Sequence, residues 1–390
     1  MRPHWLAAVA LVSLLATPRV IASESALTSV LADLPFLESH EANRIYVDLA
    51  PAGHARPFRL LLDTGATFSV LTPRSARAMG VHVRRLKSDP YRRKTLLGRD
   101  LLFFVDTRSS DTASRTGWEY GLLGGNFLAE YVVELDFVQR RVRFLDPGAY
   151  EVPESVESPA EAVVPIQIVS NRPGMTIHVN DQPITVLLDT GAPIGLMLSG
   201  SIARAASVVS APTPGFAMAG VMGAVESEFG EAAKLRIGPF GFERVPVAVA
   251  PKGWFNLGYP GDSVVGYDLL SQFTIRLDYR NGRMWLRREP GARMTFVGLD
   301  YALYRLSGAL LSSHTSGFEV SLVRAGSPAE RMGVRLGDLI ETEASEGEVA
   351  EAIATGQELT VTRTLDGVLT EVALEAGDEL PAVGAEPPPR

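Results

Sequence analysis

Leu61-Leu62-Asp63-Thr64-Gly65-Ala66 is repeated letter for letter as Leu187-Leu188-Asp189-Thr190-Gly191-Ala192. Each copy ends an apolar, strand-like run with a carboxylate and a tight turn, an expensive place for a charge unless something uses it. The repeat extends downstream. Leu122-Leu123-Gly124-Gly125-Asn126-Phe127-Leu128 parallels Val264-Val265-Gly266-Tyr267-Asp268-Leu269-Leu270, and Val133-Glu134-Leu135-Asp136-Phe137 parallels Ile275-Arg276-Leu277-Asp278-Tyr279. A whole β-rich unit is therefore duplicated within one chain, which must build its centre from two halves.

The flanking sequence sets the expected domain limits. Residues 1–22 carry Arg2 and His4, an apolar run from Trp5 and a small-residue end at Val20-Ile21-Ala22, the pattern of an export signal. The apolar run is shorter than the roughly 20 residues of a spanning helix, so no membrane span is expected after cleavage, although retention as an anchor is the rival reading. The expectation is a periplasmic or secreted protein. A strand-rich unit is expected over 43–146, an exposed Pro- and Glu-rich linker over 147–161, and a second strand-rich unit over 162–290. A smaller mixed domain follows over 297–376, and a Pro- and acid-rich, disordered tail over 377–390.

The 390 residues carry a formal net charge of −8 and no cysteine. The acidic balance argues against a nucleic-acid partner, and without disulfides the halves must be held by packed cores. The six histidines are scattered without paired spacing, so no metal site is expected. No phosphate-cradling or dinucleotide loop appears, so no cofactor is expected. Gly261-Asp262-Ser263 resembles a serine-nucleophile turn but lacks its second glycine.

The duplicated Asp-Thr-Gly turns, each with its apolar-apolar-Gly partner, resemble the pepsin and retropepsin aspartic proteases over roughly residues 43–287. The resemblance implies a mostly β fold of two acid-protease barrel lobes. It implies that Asp63 and Asp189 are the catalytic pair, that Thr64 and Thr190 brace the two loops, and that Gly65, Ala66, Gly191, Ala192, Gly124 and Gly266 shape and back them. It further implies hydrolysis of polypeptide amide bonds by an activated water. Two carboxylates held together share one proton and so present an acid and a base at once. Where pepsin-type enzymes follow the glycine with Ser or Thr, Ala66 and Ala192 stand here, as in retropepsins. Losing that hydroxyl donor predicts a working range displaced toward neutral pH.

A mobile apolar flap is expected in Gly215-Phe216-Ala217-Met218-Ala219-Gly220-Val221-Met222-Gly223, with Gly220, Val221, Met222 and Gly223 at its tip; the same residues also suit an ordinary hairpin. The first unit carries Arg84, Arg85, Lys87, Arg92, Arg93, Lys94 and Arg99, readable as a solvated face or as a lid selecting acidic substrates. The segment Gly326–Ile340 resembles the core of a PDZ domain, with a turn, a short helix opened by Pro328, a glycine stop and a strand. That implies a small α+β domain with a peptide or protein ligand, although the usual carboxylate-binding loop is missing and a docking role is equally open. The reading from a different class is a peptide- or protein-binding factor that keeps the lobes without turnover.

Overall fold

The computed structural model describes residues 29–37, 43–80, 91–106, 121–220, 223–251, 262–291, 295–296, 299–314, 316–343, 349, 352, 355, 359–365 and 368–374. The proposed export signal, Val221, Met222, Arg84, Arg85, Lys87 and the C-terminal tail lie outside them. No helix among the described residues is long and apolar enough to cross a membrane.

The first half contains β1 (Val30–Pro35), β2 (Tyr46–Leu49), β3 (Phe58–Leu62), β4 (Val70–Leu71), α1 (Pro73–Ala78), β5 (Tyr91–Leu96) and β6 (Arg99–Val105), then β7 (Gly121–Leu123), α2 (Gly125–Leu128), β8 (Val132–Asp136) and β9 (Arg141–Leu145). The second contains β10 (Glu161–Pro165), β11 (Gln167–Val169), β12 (Arg172–Val179), β13 (Gln182–Leu188), β14 (Leu196–Ser199), α3 (Gly200–Ala205), β15 (Val209–Gly220), β16 (Gly223–Ile237), β17 (Phe240–Ala250), β18 (Ser263–Val265), α4 (Tyr267–Leu270), β19 (Phe273–Asp278) and β20 (Arg283–Arg288).

The two halves weave their sheets identically. In the first the order is β2-β3-β7-β4-β6-β5, and in the second the matching strands run β12-β13-β18-β14-β17-β16. Each has one parallel pair joining the Asp-bearing strand to the apolar-apolar-Gly strand, Leu61↔Leu122 and Leu187↔Val264. Strand alternation then sorts the side chains. Leu62, Leu123, Leu188 and Val265 enter the main core, while Leu61, Leu122, Leu187 and Val264 turn to the opposite face.

A third sheet, β1-β9-β8-β19-β20-β10, joins the halves at its middle pair, β8 and β19. The first unit was expected to begin at residue 43; β1 adds an edge strand upstream, the counterpart of β10. The alternating exposure of its polar and apolar residues, half on a sheet face, is weak in six residues and easily read as an arm. The stretch 147–161 is mostly exposed, as expected of a linker, yet Tyr150 and Val152 are buried and pack with Trp285, so it is anchored across the junction.

The C-terminal module comprises β21 (Thr295–Phe296), β22 (Leu299–Asp300), α5 (Tyr301–Ser307), β23 (Ala309–His314), β24 (Gly317–Val323), α6 (Pro328–Arg331), β25 (Leu339–Glu341), β26 (Leu359–Leu365) and β27 (Val368–Leu374). Its five-stranded sheet runs β23 to β27 in order around its own core of Leu311, Val320, Ala329 and Ile340. The segment following Gly326 folds as its residues dictate. The Ser327 hydroxyl accepts from Glu330 N at 3.2 Å to cap α6, Pro328 opens the helix, and Gly333 ends it with φ of 84°. Further along, the described Val349 and Ala352 are helical.

Candidate active site

The two Asp-Thr-Gly turns meet on the axis that relates the halves. Each threonine is buried and reaches across. Thr64 Oγ1 donates to Leu188 O at 2.7 Å and accepts from Thr190 N at 3.0 Å; Thr190 Oγ1 donates to Leu62 O at 2.6 Å and accepts from Thr64 N at 3.1 Å. Four hydrogen bonds thus fasten the loops reciprocally, satisfying backbone groups that a buried loop would otherwise strand.

Fastening the threonines puts the carboxyls side by side. Asp63 and Asp189 lie close enough to share a hydrogen bond, and each keeps some exposure to solvent. A Cβ on Gly65 would lie 2.4 Å from Asp189 Cγ, and one on Gly191 would lie 2.7 Å from Asp63 Cγ. Only glycine leaves room at these two positions. Backbone amides hold the orientation: Ala66 N donates to Asp63 Oδ1 at 2.9 Å, and Gly191 N to Asp189 Oδ1 at 2.8 Å.

Gly124 and Gly266 lie beneath the loops. A Cβ there would come within 2.9 Å of Ala66 O and 2.6 Å of Ala192 O respectively, so the following helices can dock their first turns on the two aspartate loops. Gly125 N and Tyr267 N donate to those same carbonyls at 2.7 and 2.9 Å.

Burial raises Asp63 well above the ordinary carboxylate value of 3.8, and the neighbouring Asp189 charge adds to it. Asp189 is also raised, by burial, but the amides of Gly191 and Ala192 and the charge of Arg44 favour its ionised form. Both carboxyls therefore hold a proton more tightly than a free carboxyl does, Asp63 the more so.

Arg44 was not among the residues singled out from sequence, and neither was Arg172. The chain's two Asn-Arg dipeptides, Asn43-Arg44 and Asn171-Arg172, fall at the same point of the repeat. Both asparagines take left-handed φ, 64° and 61°, which Asn tolerates, and each turn reaches the other half. Asn43 Nδ2 donates to Asp268 Oδ1 at 2.6 Å and to Pro193 O at 3.1 Å, whereas the Asn171 carbonyl presses on Gly125. The repeated dipeptide was the available signal.

The expected flap segment lies in the β15–β16 hairpin, whose described ends pair Gly220 with Gly223. In the first half β5 pairs β6 as β16 pairs β17, but β5 has 6 residues against 15 for β16. Arg93 and Arg99 are exposed on this shorter hairpin, and Lys94 Nζ donates to Met79 O at 2.8 Å.

Residues 175–269 match the Aspartyl protease family. That stretch holds Asp189 and its partner glycine but not the first copy. No curated protein matches the chain. Among solved structures, a retropepsin-like aspartic protease from Rickettsia conorii is 19% identical, over 33% of this chain and 90% of its own, with a TM-score of 0.25. EIAV protease complexed with the inhibitor HBY-793 is 25% identical, over 25% and 85%, with a TM-score of 0.21. Basic 7S globulin from soybean is 10% identical, over 66% and 94%, with a TM-score of 0.38.

Proposed function

We propose that the chain is an aspartic endopeptidase, exported to the periplasm or beyond, that hydrolyses polypeptide amide bonds between Asp63 and Asp189. One observation carries this: two carboxyls from repeated turns are brought against each other, each packed on the other turn's glycine, on loops locked by reciprocal threonine bonds. A binding protein gains nothing from such a pair, because its like charges and burial oppose folding.

In the reaction, ionised Asp189 takes a proton from a water lying between the carboxyls, while protonated Asp63 hydrogen-bonds the scissile carbonyl. Hydroxide character develops at the water as the carbonyl oxygen gains charge, giving a tetrahedral gem-diol. Its collapse returns a proton to the leaving nitrogen and breaks the C–N bond. The β15–β16 hairpin supplies the flap over this centre, and the C-terminal module is a PDZ-like domain.

The test is cleavage of an unfolded polypeptide across pH by the wild type and by Asp63→Asn, with and without a statine-type peptide. Loss of cleavage in the variant and block by the statine are expected; equal cleavage by the variant would remove the pair from the mechanism.

A further inference from the structure

Val70 and Met197 occupy the same place in the repeat: Val70 pairs with Phe104 and Leu122, Met197 with Ala248 and Val264. Both belong to the face that borders the aspartate turns: Leu61 and Leu187 lie two residues before the aspartates, and Ala66 and Ala192 of the turns pack against the Leu61–Leu122 and Leu187–Val264 clusters. In the first half Leu61 and Leu122 are buried, but the rest of this face is partly open: Val70 and Phe104 are half-buried. Phe68 is 43% exposed and Tyr91 41%, and Tyr91 packs edge-on between Phe68 and Phe104, at 6.4 and 5.7 Å.

In the second half the same face is sealed. Leu187, Ile194, Met197, Phe229, Ala248 and Val264 are all at or below 5% exposure. What covers them is the C-terminal module, whose Tyr304, Leu310 and Leu322 join this cluster rather than the module's own core. The Tyr304 ring meets the Phe229 ring edge-on at 5.0 Å, and its hydroxyl oxygen accepts from Arg324 beside the Glu231–Arg244 ion pair. A register shift between Leu310 and Leu311 breaks the alternation of the β23–β24 pair, so that Phe318 and Val320 serve the module core while Leu322 turns outward. Strand β24 also runs close to β15 of the hairpin proposed as the flap.

We infer that the C-terminal module is an autoinhibitory cap: Tyr304, Leu310 and Leu322 occupy the apolar wall beside Asp189 where a substrate side chain would bind, and β24 restrains the hairpin. This rests on the proteolytic reading above. Substrate and module compete for one wall, so the open state must be populated before cleavage, and loosening the cap raises apparent affinity by the same factor as it raises the open population.

The experiment compares full-length wild type with Tyr304→Ala and Leu322→Asn on an unstructured peptide, with Leu336→Ala, on an exposed part of the module, as the control. The cap variants are expected to raise kcat/KM about tenfold or more and to tighten a statine-type peptide equally, with the control unchanged. Statine binding to the wild type is expected to speed amide exchange in β23 and β24. If wild type cleaves and folded cap variants match it in kcat/KM and statine affinity, the cap is wrong. If those variants do not fold, unchanged exchange on statine binding to the wild type overturns it instead. If nothing cleaves and the statine binds no form, the aspartic reading fails first and the cap with it.

Discussion

Glu134 and Arg276 stand at the same position of the internal repeat and face each other directly across the axis between the halves, on β8 and β19. A homodimer of either half would place two identical charges there. The single chain instead has Arg276 Nε at 2.5 Å from Glu134 Oε2, with Arg143 bonded to the other carboxylate oxygen and the Arg276 guanidinium over the Trp285 ring at 4.6 Å. Opposite charge at a self-facing position specifies pairing between unlike halves.

This pair lies largely out of solvent, so removing one member leaves the other charged and buried. Glu134→Ala is expected to destabilise by about 3–5 kcal/mol. Replacing both residues by methionine removes both charges and is expected to be milder than either single change. Urea unfolding of the singles and the double reads the coupling; additive values would mean that the pair is no pair.

The threonine lock predicts a different pattern. Thr64→Val removes the hydroxyl that Leu188 O accepts and that Thr190 N needs, leaving two buried backbone groups unpaired at about 1–3 kcal/mol each. Thr64→Ser keeps both bonds and should retain folding and cleavage. Equal stability of the Val and Ser variants, read by thermal unfolding, would show the cross-bonds to be incidental.

The central strands and the meeting of the two Asp-Thr-Gly turns were legible because repetition supplied two independent copies of each signal: a hexapeptide, an apolar-apolar-Gly run and a strand ending in Asp. What escaped depends on contacts between distant segments. Strand β1 has only half a face to bury, and its pairing partner lies at Arg141–Leu145, far along the chain. Val152 reads as a linker residue until its amide is seen to donate to Asp278 at 3.2 Å. The Asn-Arg turns matter only once the halves are joined, and the register shift that re-aims Leu322 leaves no mark in Ser-Leu-Val.

The raised proton affinity of Asp63 ties stability to pH. Asp63 binds its proton more tightly folded than unfolded, so the folded state holds more protons once pH exceeds the unfolded value near 3.8. Stability from this group is complete below that value and declines as pH rises toward the folded one, by about 1.4 kcal/mol per unit of raised affinity. Asp63→Asn, uncharged at every pH, is expected to melt higher than the wild type at pH 7 and to lose that advantage below about pH 4. A melting series across pH decides it; a constant offset would contradict the raised affinity.

Ala66 and Ala192 supply backbone amides to the carboxylates but no hydroxyl. A serine at either position adds a donor that favours the ionised form and lowers the proton affinity of the pair. The double variant Ala66→Ser, Ala192→Ser is expected to move the acid limb of the pH–rate profile to lower pH by about one unit. An unmoved limb would mean that the amides and burial alone set it.

Gly125 and Tyr267 are repeat equivalents with opposite demands, and this makes the last prediction asymmetric. A Cβ on Gly125 would sit 1.8 Å from the Asn171 carbonyl, which is backbone and belongs to the other half. Tyr267 instead meets Phe137 edge-on at 5.2 Å, filling the matching space with a ring. Gly125→Ala therefore has to push the Asn171-Arg172 turn away, an overpacking strain of about 1–3 kcal/mol, and because α2 docks on Ala66 O the displacement reaches the Asp63 loop. Tyr267→Phe keeps the ring and should leave both folding and cleavage intact. The expected result is a loss of kcat in Gly125→Ala larger than its unfolding change explains, measured at a temperature where the variant remains folded. A variant with wild-type kcat would show that the loops tolerate movement between the halves, and the carboxyl geometry would then rest on the threonine bonds alone.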